Sequence, residues 1–441
     1  MEYSKQINNL VPSPTLVINE QVQEMRNMGE SIIQLGFGES PFPVPLQVVA
    51  SLQQHAHKKS YYPTVGLDEL RSQVAKFLTH LFFISTKKSQ VIIGPGSKEL
   101  IFDLLMVLDG LLLLPQPSWV SYVPQASLAQ KSTFFFPTRP VDNLLLTASV
   151  FKDHLIRNEL DNSIQKILIL NYPNNPTGAS YNGMQLYELA KVCRQYNIIV
   201  IADEIYGLLT FDRHHESLVT YYPEKTILTT GLSKFLSLGG YRVGVARIPT
   251  DNHTLLSALR TIGSETWSSV SAPIQHAAVT AFDVGPTIQY IPKVVHIHKT
   301  ISEYVYSALT SNTQLWIPKP KGSYYLFPSF ATYQENLANF DIYNSEQLAL
   351  WLLHEYKLAT LPGTPFGMPS ENLYLRLALV DYDGQRILQH YQDVTAKSLP
   401  EFVPNIVTAT QRIIHACKRL EKNVIQHFNP PVVNQPALAV S

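Results

Sequence analysis

Five short segments carry residue types that could do chemistry together. Lys234 follows the apolar run TILTTG (226–231) in Gly231-Leu232-Ser233-Lys234-Phe235, and Arg242 comes eight residues later. Desolvation beside such a run lowers an ammonium's pKa, the condition for a Schiff-base nucleophile; a lysine stem lying on apolar surface accounts for the same residue. Asp203 ends NIIVIAD (197–203) and is followed by Glu204 and Tyr206. A carboxylate there must be paired, ligated or protonated, and an internal salt bridge is the ordinary way. Asn171 to Gly178 is dense in turn residues, and its Tyr172–Pro173 and Asn175–Pro176 bonds either shape a plain loop or aim an Asn amide into a site. Gly94-Pro95-Gly96-Ser97-Lys98 joins VIIG to an apolar helical pattern, where free N–H groups and the helix dipole suit a phosphate. A tight structural turn uses the same residues, and neither a Walker pattern nor G-x-G-x-x-G is present. Last, Arg376 interrupts the apolar LYLRLAL (373–379), for which a salt bridge is the bland explanation.

The elements around these segments have a common pattern. VIIG (91–94), LLLLP (111–115), KILILNYP (166–173), NIIVIAD, TILTTG and RVGVARI (242–248) alternate with helical stretches such as KELIFDLLMVL and MQLYELAKVCRQY. Strand-like runs that are apolar on both faces, separated by amphipathic helices, predict an α/β fold with a mostly parallel sheet covered on each side. Ligands of such a sheet bind beyond the carboxyl ends of its strands, where most of the candidate residues fall. From about Ile291 a long helical stretch, SYYLFPSF, a helix over 345–356 and NLYLRLAL predict a smaller α+β lobe, joined by the N-terminal stretch. The expected divisions are 1–54 packing with that lobe, 55–295, 296–425, and a loose tail over 426–441.

Composition narrows the function. Lys+Arg 34 against Asp+Glu 34 gives no net field to hold nucleic acid or an acidic membrane. The most apolar stretch, Leu100 to Leu114, is broken by Asp103, Asp109 and Gly110, which argues against a membrane span. Cys193 and Cys417 make neither a disulfide framework nor a metal cluster, so no metal is expected and a cytoplasmic location is. The opening MEYSKQINNLVPSP has no basic region leading into an apolar stretch, and no secretory signal is expected.

Read in order, NYPNNPTG, ADEIY and the S-K-x7-R of SKFLSLGGYR resemble the sheet-end loops of fold type I pyridoxal-phosphate enzymes, specifically class I/II aminotransferases like aspartate aminotransferase. LGFGESPFPVP (35–45), YYPTVGLDELR (61–71), PSWVSY (117–122) and LYLRLAL agree, so that the likeness runs from about Ile33 to Leu379. The resemblance implies a large domain with a mostly parallel seven-stranded sheet between helices and a smaller α+β domain built from both chain ends. It implies transfer of an amino group from an L-amino acid to a 2-oxo acid through a Lys234 aldimine with pyridoxal 5'-phosphate. Asp203 would face the ring nitrogen, Tyr206 and Asn175 the ring oxygen, and Trp119 the ring face. Arg242 with the backbone of Gly96, Ser97 and Lys98 would hold the phosphate, joined by Tyr61, or its neighbour Tyr62, from the second subunit of a homodimer with shared sites. Arg376 and Gly38 would bind the substrate α-carboxylate. Two departures stand out: Gly231 replaces a serine that many relatives use on the phosphate, leaving Thr230 or Ser233 for that task, and no second arginine is assignable to a distal carboxylate. Substrate specificity is expected from Phe37, Trp119, Tyr122, Ser264 to Trp267 and Tyr324. The same machinery would serve a C–S β-lyase; a non-catalytic cofactor-binding regulator and a nicotinamide or nucleotide enzyme are the remaining alternatives.

Overall fold

The computed structural model describes residues 12–250 and 252–427. Twelve strands are numbered here in chain order: β1 (Ile33–Gln34), β2 (Val91–Gly94), β3 (Leu111–Gln116), β4 (Thr133–Pro137), β5 (Lys166–Asn171), β6 (Ile199–Asp203), β7 (Thr226–Gly231), β8 (Gly244–Arg247), β9 (Tyr325–Leu326), β10 (Leu358–Ala359), β11 (Leu361–Pro362) and β12 (Leu375–Ala378). Seven form one sheet in the order β2-β8-β7-β6-β5-β3-β4. Only β8 runs antiparallel to its neighbours. The expected α/β architecture with a mostly parallel seven-stranded sheet is therefore present. Its edge strand β4, TFFFP, escapes the apolar-run criterion because only Phe136 of its five residues is buried.

Alternation in the central strands feeds the cores on the two sheet faces. Ile167 and Ile169 of β5 pack with Leu112, Leu114, Ile201 and Ile227, while Leu168 and Leu170 pack on the other face with Leu113, Val200 and Ala202. Burying both faces is what makes these runs apolar throughout.

Register decides what meets at the sheet's edge. Asn171 aligns with Asp203 and Asp203 with Thr229, so β5, β6 and β7 release their following loops at one level. Gly94 of β2 and Gly231 of β7 both align with Gly244 of β8. Because β8 is reversed, the residues before it, including Arg242, emerge beside those after β2 and β7.

Outside this sheet, β1 pairs in parallel with β10, and β12 lies between β11 and β9 in a three-stranded sheet. The long helix Val284–Asn312 packs against the last helix, Pro404–His427. That helix extends one residue past Gln426, and the rest of the expected loose tail lies outside the described residues. Among the described residues no helix is long and apolar enough to cross a membrane.

Candidate active site

The loops at the carboxyl edge of the sheet surround a cavity of about 500 Å³, whose lining includes Gly38, Ser97, Lys98, Trp119, Asn175, Asp203, Tyr206, Lys234, Arg242 and Arg376. Ten residues picked out in five segments and two flanking motifs thus meet in one place. Gly96 lies directly behind Arg242, whereas the Tyr61 side chain is 88% exposed on the surface.

Asp203 is buried at the end of β6 and accepts a hydrogen bond from the Tyr122 hydroxyl at 2.6 Å. Burial pushes its carboxyl up to about 6, and this phenol hydrogen bond only partly opposes the shift. No cation pairs with it among the described residues. Arg376 is 1% exposed and has no carboxylate partner among the described residues, so the salt-bridge explanation finds no support there. Its Nη2 donates to the Gly36 carbonyl at 2.6 Å and its Nη1 to Asn175 Oδ1 at 3.3 Å, while Nε has no partner among the described residues. Burial holds its guanidinium below the ordinary arginine range. Asn175 is fixed in turn by its backbone N–H donating to Asn171 Oδ1 at 2.7 Å, so turning its carbonyl to Arg376 leaves its NH₂ to donate.

Three further cations line the cavity. Lys234 Nζ donates to the Gly38 carbonyl at 3.0 Å and stands 5.8 Å from the centre of the Tyr206 ring. Lys98 Nζ lies 5.1 Å over Trp119, and desolvation together with the charges of Arg242 and Lys234 holds it below the ordinary lysine range. Arg242 sits in the left-handed region at φ 55, its Nη1 donating to the Gly239 carbonyl at 2.9 Å. None of the three forms an ion pair among the described residues. Gly96, at φ 96, opens the helix Ser97–Val107, and a Cβ there would strike the Arg242 guanidinium. This turn therefore requires glycine, and a helix N-terminus and an unpaired guanidinium face the same space.

Several sequence expectations need correction. A side chain at position 231 would bring its Cβ within 2.6 Å of the Val243 carbonyl, so the β7–β8 ladder itself excludes a serine there. Thr230 turns toward the Glu204 carbonyl, 3.5 Å away, and only Ser233 of the suggested substitutes lines the cavity. Tyr325, not Tyr324, lines it; Tyr324 lies behind, donating to the Gly38 carbonyl at 3.2 Å. Tyr122 supports Asp203 from below, and Ser264 to Trp267 lie outside the lining of this chain's cavity. Sequence reasoning also missed the side chain of Lys98 and the contribution of Ser13, Thr15 and Leu16. The alternation of SYYLFPSF narrows the choice to one of two tyrosines; for the others only tertiary packing supplies the signal.

Comparison with known proteins bears on the family and the fold. The family described as aminotransferase class I and II matches residues 30–383. An aspartate aminotransferase of Bacillus subtilis (strain 168) is 28% identical over 388 residues, covering 86% of this chain and 95% of that protein. A probable aspartate/prephenate aminotransferase of Rickettsia typhi is 30% identical over 390 residues, covering 85% and 94%. A solved aspartate aminotransferase from Thermus thermophilus with maleate shares the fold at a TM-score of 0.80 and 23% identity, covering 94% of this chain and 99% of that one.

Proposed function

The chain belongs to the class I and II aminotransferases and transfers an amino group; we propose that it does so with pyridoxal 5'-phosphate bound through Lys234, from an acidic L-amino acid to a 2-oxo acid. One observation carries the reading: charge around the cavity is left incomplete on both sides. Among the described residues, Asp203 is a buried acid without a cation, Arg376 a buried cation without an acid, and Lys98, Lys234 and Arg242 are cations without an acid. A ring with a basic nitrogen at one end and a phosphate at the other, joined to a carboxylate substrate, completes each of them.

When bound, the cofactor supplies an electron-accepting ring that takes up the pair left at the substrate α-carbon. Asp203 holds the proton on the ring nitrogen, and the Tyr122 hydroxyl steadies its carboxylate. Tyr206 and the Asn175 NH₂ donate to the ring oxygen. Trp119 covers the ring and excludes water. Arg242 and the backbone N–H groups of Gly96, Ser97 and Lys98 hold the phosphate. Arg376 grips the α-carboxylate as a planar fork, with the Gly38 backbone beside it. Lys234 Nζ takes the proton from the α-carbon, which requires the neutral amine.

The Lys98 ammonium and the hydroxyls of Ser13 and Thr15 supply polar groups that can receive an acidic side chain, and relatives named aspartate aminotransferase support that choice. Those names favour transfer over the C–S β-lyase alternative. The exposure of Tyr61 suits contact with a second subunit of a homodimer, and two buried free thiols suit a reducing cytoplasm. Borohydride treatment of the purified protein should fix a pyridoxyl group on Lys234, and loss of the visible band should be fastest with dicarboxylic donors. Label on another lysine overturns the assignment; equal rates with aliphatic donors overturn the substrate class.

A further inference from the structure

Tyr325 touches both halves of the site, and nothing in the roles above accounts for it. Its ring centre lies 4.7 Å from the Arg376 guanidinium and that of Phe366 lies 5.3 Å from it, so that the buried cation stands over two aromatic rings. Its hydroxyl is 3.0 Å from the Tyr206 hydroxyl, and the two rings meet edge to face with centroids 5.7 Å apart. The same hydroxyl occupies the space that a Cβ on residue 38 would need, which makes glycine obligatory beside the carbonyl that holds Lys234. The platform is also anchored to what it supports: Tyr325 pairs with Ala378 in β12, the strand that carries Arg376.

We propose that Tyr325 is the positioning residue that ties the carboxylate grip to the cofactor side of the site, holding Arg376 by its ring face and Tyr206 by its hydroxyl. The inference rests on Arg376 being the carboxylate-binding group. With no carboxylate paired to it among the described residues, Arg376 has the aromatic rings beside its two hydrogen bonds to oppose its desolvation, and a cation over a desolvated ring gains more than an exposed one. The hydroxyl works separately. By engaging the oxygen of Tyr206 it orients that phenol toward whatever the phenol serves.

The two limbs separate by substitution. Tyr325→Phe keeps the ring face and loses the hydroxyl; Tyr325→Met keeps much of the volume and loses both; Arg376→Lys is the reference. Succinate binding to the cofactor-free protein is measured by calorimetry, and kcat, KM and the pH midpoint of the visible band are measured on the holoenzyme. Tyr325→Phe is expected to bind succinate within about twofold of wild type and keep KM, while kcat falls several-fold and the band's midpoint moves to higher pH. Tyr325→Met is expected to bind succinate about tenfold more weakly, the size of a lost cation–π contact. If Arg376→Lys leaves succinate binding unchanged, the carboxylate role fails and the inference with it. If Arg376→Lys weakens binding and a folded Tyr325→Met does not, the inference alone fails. An unmoved band in Tyr325→Phe removes the hydroxyl limb, and that variant decides the limb even if the Met chain does not fold.

Discussion

Asp203 and Glu204 are consecutive acids at one strand end, both buried, and their surroundings are opposite. Glu204 accepts from the Tyr172 hydroxyl at 2.7 Å and the Ser217 hydroxyl at 2.6 Å, and the His215 imidazole lies 2.7 Å from its other oxygen. Asp203 faces the cavity with the Tyr122 phenol and, at 3.4 Å, the Ile205 backbone N–H for support, and burial pushes its carboxyl up to about 6. A polar group that serves the fold is completed by the fold, because leaving it unpaired costs stability. One that serves a ligand is left short of partners, and the protein bears that cost until the ligand arrives.

The sharpest way to break this comparison is at the incomplete groups. Lys234→Ala should abolish turnover while the melting temperature stays near that of the wild type and pyridoxal phosphate still binds non-covalently; a lysine buttressing the fold would show the reverse. Next in size is Asp203→Asn, expected to lower kcat by more than about tenfold, or ~1.4 kcal/mol in barrier. It should also stabilise the cofactor-free protein. The folded carboxyl titrates near 6 and the unfolded one near 3.8, so the folded state holds its proton more tightly and loses stability as pH rises between those values. The gain from the amide is therefore small at pH 4, complete above pH 7 and at most about 3 kcal/mol; equal melting shifts at pH 4 and pH 8 would contradict it.

Glu204→Ala tests the other member. It orphans two hydroxyls and an imidazole and should cost about 2–4 kcal/mol in denaturant unfolding, while the folded fraction keeps kcat within about threefold. A larger loss of kcat than of stability would make Glu204 part of the chemistry. The smallest effects belong to two neighbouring tyrosines that repeat the contrast. Tyr62 is engaged, its hydroxyl 2.7 Å from His276 Nε2, whereas Tyr61 lies open on the surface. Tyr62→Phe should cost about 1 kcal/mol of stability and little cofactor affinity. Tyr61→Phe should do the opposite, and mixing Tyr61→Ala with Lys234→Ala chains under subunit exchange should restore about a quarter of wild-type sites. Restoration by Tyr62→Ala in place of Tyr61→Ala would move the shared role by one position.

The strands and their order of chemistry were readable because a strand buried on both faces must be apolar along its length, and turn residues then mark its end. The loops NYPNNPTG, ADEIY and SKFLSLGGYR each follow such a run, so their placement at one edge needed only the parallel rule. Strand β4 was not readable, since an edge strand with one buried residue carries no such pattern. The choice between Tyr324 and Tyr325 was also closed to the sequence, because adjacent residues in a strand differ only in which face they take.

Residue types and spacing by themselves determined that this chain folds as an α/β protein, that a lysine, an acid and an amide follow or end its strands, and that two arginines stand before one strand and within another. Tertiary structure alone decided which of them remain unpaired. The reversal of β8 sets Gly244 between Gly94 and Gly231 and thereby brings Arg242 beside Gly96 and into the cavity that Lys234 lines, and Phe366 and Tyr325 pack on an Arg376 that has no ion-pair partner among the described residues. Pairing depends on distances between segments far apart in the chain, and no local pattern of side chains carries those distances.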